Sequence, residues 1–200
     1  MTDKRMTDRE VLISVRPKYC ELIANGEKTI EVRKTRPRIT TPFKCYIYCT
    51  KDFYRKGDGY FQGKYCGKVI GEFVCDKIIT IDCDSIAPFD YNTKDYINKE
   101  SCLSRDDFVK YAGVKMTYGW HISDFKIYKK PKTLEDFRKP CVSPEMPYCP
   151  LCEFGYEYIS ETEAEFYRVD GACNTEWCCL NWIKKAPQSW CYVQEMSGND

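Results

Sequence analysis

Short stretches of alternating apolar and polar residues dominate the chain, and the first is residues 11–16, Val-Leu-Ile-Ser-Val-Arg. Its β-branched content predicts a strand. Pro17 suits the first position of a helix, and Tyr19, Leu22 and Ile23 follow at helical spacing. Asn25-Gly26 stops that helix, glycine being the usual left-handed cap. Residues 29–35 read as extended, and 44–50 as a third strand. Gly, Lys and Tyr make 51–66 a loop. Residues 67–81 give a long, nearly continuous strand signal, with Gly71 marking a bulge or bend.

Residues 84–103 look irregular. Ser104, followed by Asp106 and Asp107, predicts a helix start, because a hydroxyl cap and first-turn acids both answer the free N–H groups there. Phe108, Val109 and Tyr111 supply its apolar face, and Gly113 ends it. Residues 116–128 read as extended, 134–137 as a short helix and 190–193 as a closing strand. Residues 140–189 show no clear period. Strands broken by short helices, without a repeated βαβ unit, argue against a doubly wound sheet. The expected class is α+β: a small mixed-topology β-barrel with helices at its ends.

Composition narrows the function. The 200 residues are 43% hydrophobic and 30% charged, enough apolar material for a packed core. No apolar run approaches the roughly 20 residues of a membrane helix. The polar start, Met1-Thr2-Asp3-Lys4-Arg5, does not read as a secretory signal, so a cytoplasmic protein without membrane partners is expected. A net charge of +1 excludes a uniformly polybasic binder. The charge is instead segregated. Residues 28–38 carry a net +4, residues 129–139 a net +3, and residues 153–176 a net −6. Tyr19, Tyr46, Tyr48, Phe53, Tyr54, Tyr60 and Phe61 flank the first basic segment. Cations interleaved with aromatics suit single-stranded or flipped bases, which need stacking surfaces as well as charge.

Of the 14 cysteines, seven are dispersed in apolar patterns and read as buried hydrophobes. The other seven crowd the last 60 residues. Cys149-Pro150-Leu151-Cys152 is a Cys-x-x-Cys, a spacing that lets two thiolates reach one tetrahedral Zn²⁺. Cys141, Cys173, Cys178 and Cys179 are the candidates for the remaining ligands, with Cys141, Cys173 and Cys179 preferred. Such a zinc would be structural, fastening a polar insert over residues 140–186. The acidic part of that insert is also a candidate surface for a protein partner.

Gly26-Glu27-Lys28-Thr29-Ile30-Glu31-Val32-Arg33 carries a Gly-x-Lys-Thr-x-Glu-x-Arg pattern directly after a short helix. It resembles the ASCH family, a branch of the PUA-like superfamily, and in particular ASCH proteins of bacteria and their phages. Ser14-Val15-Arg16-Pro17, Gly67-Lys68-Val69-Ile70-Gly71 and Tyr118-Gly119-Trp120-His121-Ile122-Ser123 agree with the resemblance. So does the closing Pro187-Gln188-Ser189-Trp190-Cys191-Tyr192-Val193. The resemblance covers residues 9–139 plus 187–195 and implies a PUA-like barrel with a cleft beside the motif. It implies binding of RNA or a modified nucleotide, with Lys28, Glu31, Arg33, Lys34, Arg36, Trp120 and His121 as candidate contacts. Some small ASCH proteins are amidohydrolases of acetylcytidine that use a Lys, a Thr and a Glu. The Lys falls on Lys28 and the Glu near Glu100, but the Thr position holds Glu31. A hydrolase, whether amidohydrolase or nuclease, would therefore use Lys28, Glu31 and Glu100.

From the residues alone, Thr29, Glu31, Arg33 and Thr35 share one face of a strand by period two. Glu31 and Arg33 can pair, or Glu31 can accept a base's amine while Arg33 takes phosphate. Lys28, just before the strand, reads as a mobile cation. His121 is the only histidine. It reads either as a satisfied barrel residue or as a donor to a base or phosphate.

Overall fold

A computed structural model describes residues 10–51, 65–81, 91–113, 116–139 and 183–195. The fold is α+β. The strands are β1 (Glu10–Val15), β2 (Ile30–Arg33), β3 (Phe43–Cys49), β4 (Val69–Cys75), β5 (Ile78–Ile81), β6 (Thr117–His121), β7 (Ser123–Lys132), β8 (Phe137–Arg138) and β9 (Trp190–Glu195). The helices are α1 (Pro17–Ala24), α2 (Tyr91–Ser101) and α3 (Arg105–Ala112), with one 3₁₀ turn at Leu134–Asp136. The described strands hydrogen-bond as two sheets, one ordered β7-β4-β3-β1-β9-β8 and the other β2-β6-β5. Among the described strands only β1 and β3 pair in parallel, and α1 and β2 make the crossover between them.

Period-two burial explains the layering. In β1, Val11, Ile13 and Val15 enter one core while Leu12 enters another. In β3, Cys45, Ile47 and Cys49 join the first, and Tyr46 and Tyr48 the second. Both faces of these central strands are covered, hence their nearly continuous apolar sequence. Trp120 of β6 enters the first core from the smaller sheet, so that core lies between the sheets. In β2, Ile30 and Val32 turn outward onto Ile97 of α2 and Phe108 and Ala112 of α3. Alternation then sends Glu31 and Arg33 inward, between the sheets.

Four elements differ from the sequence expectation, one of them the extended stretch 116–128, which divides into β6 and β7 in different sheets. The long strand at 67–81 is two strands in two different sheets, parted at the exposed Asp76 and Lys77. Gly71 is where the backbones press closest: a Cβ there would lie 2.4 Å from the Lys126 carbonyl oxygen. The ladder between β4 and β7 is irregular on both sides of it. The segment read as irregular contains α2, eleven residues of which Ile97 is the buried apolar anchor. A helix with so little apolar content leaves no periodic signal. In α3, Phe108 and Ala112 are buried while Val109 and Tyr111 are exposed, so the apolar face is rotated from the one expected. The cap is as expected: Ser104 Oγ accepts the Asp107 N–H at 3.1 Å. Among the described residues no helix is long and apolar enough to cross a membrane.

Candidate functional site

The two sheets part at one end to leave a cleft of about 910 Å³. Its floor is built by the β2 residues that alternation sends inward. Glu31 Oε1 lies 3.0 Å from Arg33 Nη2, and Glu31 Oε2 lies 3.1 Å from Lys28 Nζ. Lys28 also donates to the carbonyls of Ile30 and Ser101, both at 2.7 Å. An ammonium has three N–H donors, and all three are engaged. Lys28 is only 2% exposed, so the expected mobile cation is instead a buried, fully coordinated one. Its position over the Tyr19 ring, 5.2 Å from the centroid, adds a cation–π contact.

Arg33 ties the floor to the larger sheet. Its Nη2 donates to the Ser14 carbonyl at 2.6 Å, and Nη1 reaches the carbonyl and hydroxyl of Ser189 at 3.3 and 3.4 Å. Ser14 in turn donates to the Pro187 carbonyl at 2.6 Å. The Arg33 Nε is buried without a hydrogen-bond partner among the described residues. The expected Glu31–Arg33 pair is present, as one half of a three-residue cluster.

The walls and rim are of different character. Tyr19, Tyr48 and Tyr111 line the cleft, and burial pushes all three hydroxyls above their ordinary pKa. The charge of Asp107 adds to the shift at Tyr19. Arg16, Lys51, Lys110, Lys184 and Lys185 stand at the rim, all exposed. None of the five forms an ion pair among the described residues. With Lys28 and Arg33 against Glu31 and Asp107, the lining carries a net charge of +5.

The candidates from sequence fall into three places. Lys28, Glu31 and Arg33 meet at the cleft floor. Lys34 and Arg36 are exposed just beyond it, Lys34 over the Tyr111 ring at 5.1 Å and Arg36 over Tyr118 at 5.7 Å. Trp120, His121 and Glu100 do not line the cleft. Trp120 has no exposed surface; it packs edge-on to Phe43 at 5.8 Å and against Trp190 at 5.9 Å. An indole sealed in the core has no face left for a base. His121 Nδ1 sits 2.6 Å from Asp76 Oδ1, beside the turn between β4 and β5. Glu100 receives the Thr29 hydroxyl, and its carbonyl accepts the Thr29 N–H at 2.9 Å. Thr29 therefore anchors α2 rather than joining Glu31 and Arg33.

The zinc candidates Cys141, Cys149, Cys152, Cys173 and Cys179 lie outside the described residues, as does the acidic stretch. The end of the segment assigned to the insert does not: Ile183 is buried in the second core, and Lys184 and Lys185 reach the cleft. Sequence reading missed the rim because its five cations are scattered along the chain between residues 16 and 185. Only Arg16 carried a signal, inside the Ser14-Val15-Arg16-Pro17 stretch.

No family model matches the chain, and no curated protein does. Solved structures of similar fold are of an ASCH protein from Zymomonas mobilis. Its crystal structure matches with a TM-score of 0.47 and 23% identity, over 62% of this chain and 73% of that one. Two point mutants of it match with TM-scores of 0.48 and 0.47, at 20% and 21% identity. These cover 64% and 62% of this chain, and 75% and 76% of theirs. At such identities the likeness is one of fold.

Proposed function

We propose that the chain binds RNA or a modified nucleotide in this cleft, with phosphate held at the rim and a base against the tyrosines. The observation that carries the reading is the set of five exposed cations, Arg16, Lys51, Lys110, Lys184 and Lys185, left without ion pairs among the described residues. Unpaired cations around an aromatic-walled cleft attract phosphate by charge and counterion release, and offer ring faces to a base. The Gly-x-Lys-Thr-x-Glu-x-Arg resemblance points to the same ligand class. Lys28, Glu31 and Arg33 then form a rigid floor.

A hydrolase in the same cleft is the weaker reading. It needs Lys28, Glu31 and Glu100 around one reacting atom, whereas Glu100 is engaged with Thr29 outside the cleft lining. Lys28 has no free N–H to offer, and both Glu31 oxygens already face cations. A base so occupied is poorly placed to take a proton.

The test is a screen of the full chain against short RNAs and modified nucleosides, scoring both retention and mass change. Retention without mass change is expected, weakening as salt rises. The doubly substituted Lys184→Ala, Lys185→Ala variant should bind severalfold more weakly. Salt-independent retention, or none, would contradict the reading. We also propose a structural zinc held by four of Cys141, Cys149, Cys152, Cys173 and Cys179, on the Cys-x-x-Cys spacing alone.

A further inference from the structure

The loop that leaves β2 is unusually well fastened for one so exposed. Lys34, Thr35, Arg36 and Arg38 are all exposed, and Pro37 alone is buried. Two aromatic side chains from elsewhere hold its backbone and its one hydroxyl. The Trp190 Nε1–H, from β9, donates to Thr35 Oγ1 at 2.9 Å. The Tyr192 hydroxyl, also from β9, accepts the Arg38 N–H at 2.7 Å. Two of the loop's cations are steered as well. Lys34 Nζ lies over the Tyr111 ring at 5.1 Å and the Arg36 guanidinium over the Tyr118 ring at 5.7 Å. Neither of these nor Arg38 forms an ion pair among the described residues.

A connector between two strands needs neither three cations in five residues nor two aromatic fastenings. Fixing exposed like charges side by side is unfavourable unless an anion meets them. A fixed array has the compensating merit that little ordering remains when a polyanion binds. The array is also continuous with the cleft, because Tyr111 both lines the cleft and lies beneath Lys34 Nζ.

We infer that residues 34–38 form a second nucleic-acid subsite, a basic track along which a single-stranded RNA runs out of the cleft. This rests on the cleft reading above and extends it: the ligand is a chain of several nucleotides, not a free nucleoside. The cleft holds one nucleotide, and Lys34, Arg36 and Arg38 meet the phosphates of its neighbours. The guanidinium of Arg36, placed over the Tyr118 ring, offers its outer face to a base.

The experiment compares two probes, a 5′-mononucleotide and an RNA octamer, on the full chain. Three proteins are compared: wild type, the triple variant Lys34→Ala, Arg36→Ala, Arg38→Ala, and the rim variant Lys184→Ala, Lys185→Ala. Wild type should hold the octamer far more tightly than the mononucleotide. The triple variant should lose at least ten-fold more affinity for the octamer than for the mononucleotide. Its plot of log affinity against log salt should flatten by about 2, near 0.7 for each phosphate of the single strand that is no longer neutralised. The rim variant should weaken both probes alike. Melting temperatures within a few degrees of wild type show that the loop still folds; Tyr118→Leu, which removes the ring beneath Arg36, serves if the triple variant does not fold, and should selectively weaken the octamer. Equal losses for both probes, or an octamer affinity the triple variant leaves intact, overturn the track and leave the cleft standing. Wild type that binds neither probe overturns the cleft reading, and the track with it.

Discussion

The floor and the rim of the cleft are both rich in charge, yet physics puts them to opposite uses. At the floor, Lys28, Glu31 and Arg33 are 2, 8 and 6% exposed and bound to one another and to four carbonyls. A charge out of water survives only if its partners replace the water, and here almost every donor and acceptor is satisfied. At the rim, Arg16, Lys51, Lys110, Lys184 and Lys185 keep their hydration and have no ion-pair partner among the described residues. The floor commits its charge to structure; the rim keeps its charge available. The residues a motif picks out as functional are thus the ones that build the site, and the residues free to act lie outside the motif.

The comparison is broken most forcefully at Glu31. Glu31→Ala leaves two buried cations facing each other, and removing one member of a buried pair costs about 3–5 kcal/mol. Chemical denaturation should show a loss of that size. A loss under about 1 kcal/mol would mean that the floor is not a buried cluster. Glu100→Gln probes the back of the same motif. It replaces the charged hydrogen bond from Thr29 with a neutral one and should lower stability by about 1 kcal/mol while leaving RNA affinity nearly unchanged. A large affinity loss at unchanged stability would bring Glu100 into the site and revive the hydrolase reading.

Rim substitutions sharpen the contrast from the other side. Lys185→Ala should change stability by no more than about 0.5 kcal/mol, as exposed positions usually do. It should nevertheless reduce the salt dependence of RNA binding by roughly 0.7 on the log–log plot. Turnover of acetylcytidine should be absent from wild type if, as the resemblance implies, Glu31 falls on the position of the hydroxyl nucleophile; release of acetate that Lys28→Ala abolishes would contradict that. Outside the cleft, purified protein should carry about one zinc per chain if the late cysteines form a closed tetrahedral site. Metal analysis that finds none would remove the zinc.

Much of the frame was legible in the chain. The strands β1 and β3 were legible, β1 by β-branched content and alternation, as were α1 by Pro17 and Asn25-Gly26, and α3 by Ser104 with its first-turn acids. Period two alone put Glu31 and Arg33 on one face, and of the two readings left open there the ion pair is the one formed. What stayed hidden shares one cause: it depends on packing between distant segments. Lys28 looked mobile because the Ser101 carbonyl that holds it lies 73 residues away. Trp120 stood among the candidate contacts because nothing local says which face of β6 is sealed by Phe43 and Trp190. The helix α2 escaped because a surface helix with Ile97 as its buried anchor has no amphipathic rhythm to read. Lys184 and Lys185 escaped because a segment dominated by cysteines and acids hid its last basic residues.

The division between floor and rim meets its most direct test when stability and RNA affinity are measured together on Glu31→Ala and on Lys184→Ala, Lys185→Ala. The account predicts that the first variant loses several kcal/mol of stability, about 3–5, whereas the second keeps its stability and loses affinity and salt dependence. A rim variant that binds RNA as wild type does, or a Glu31 variant as stable as wild type, would contradict it.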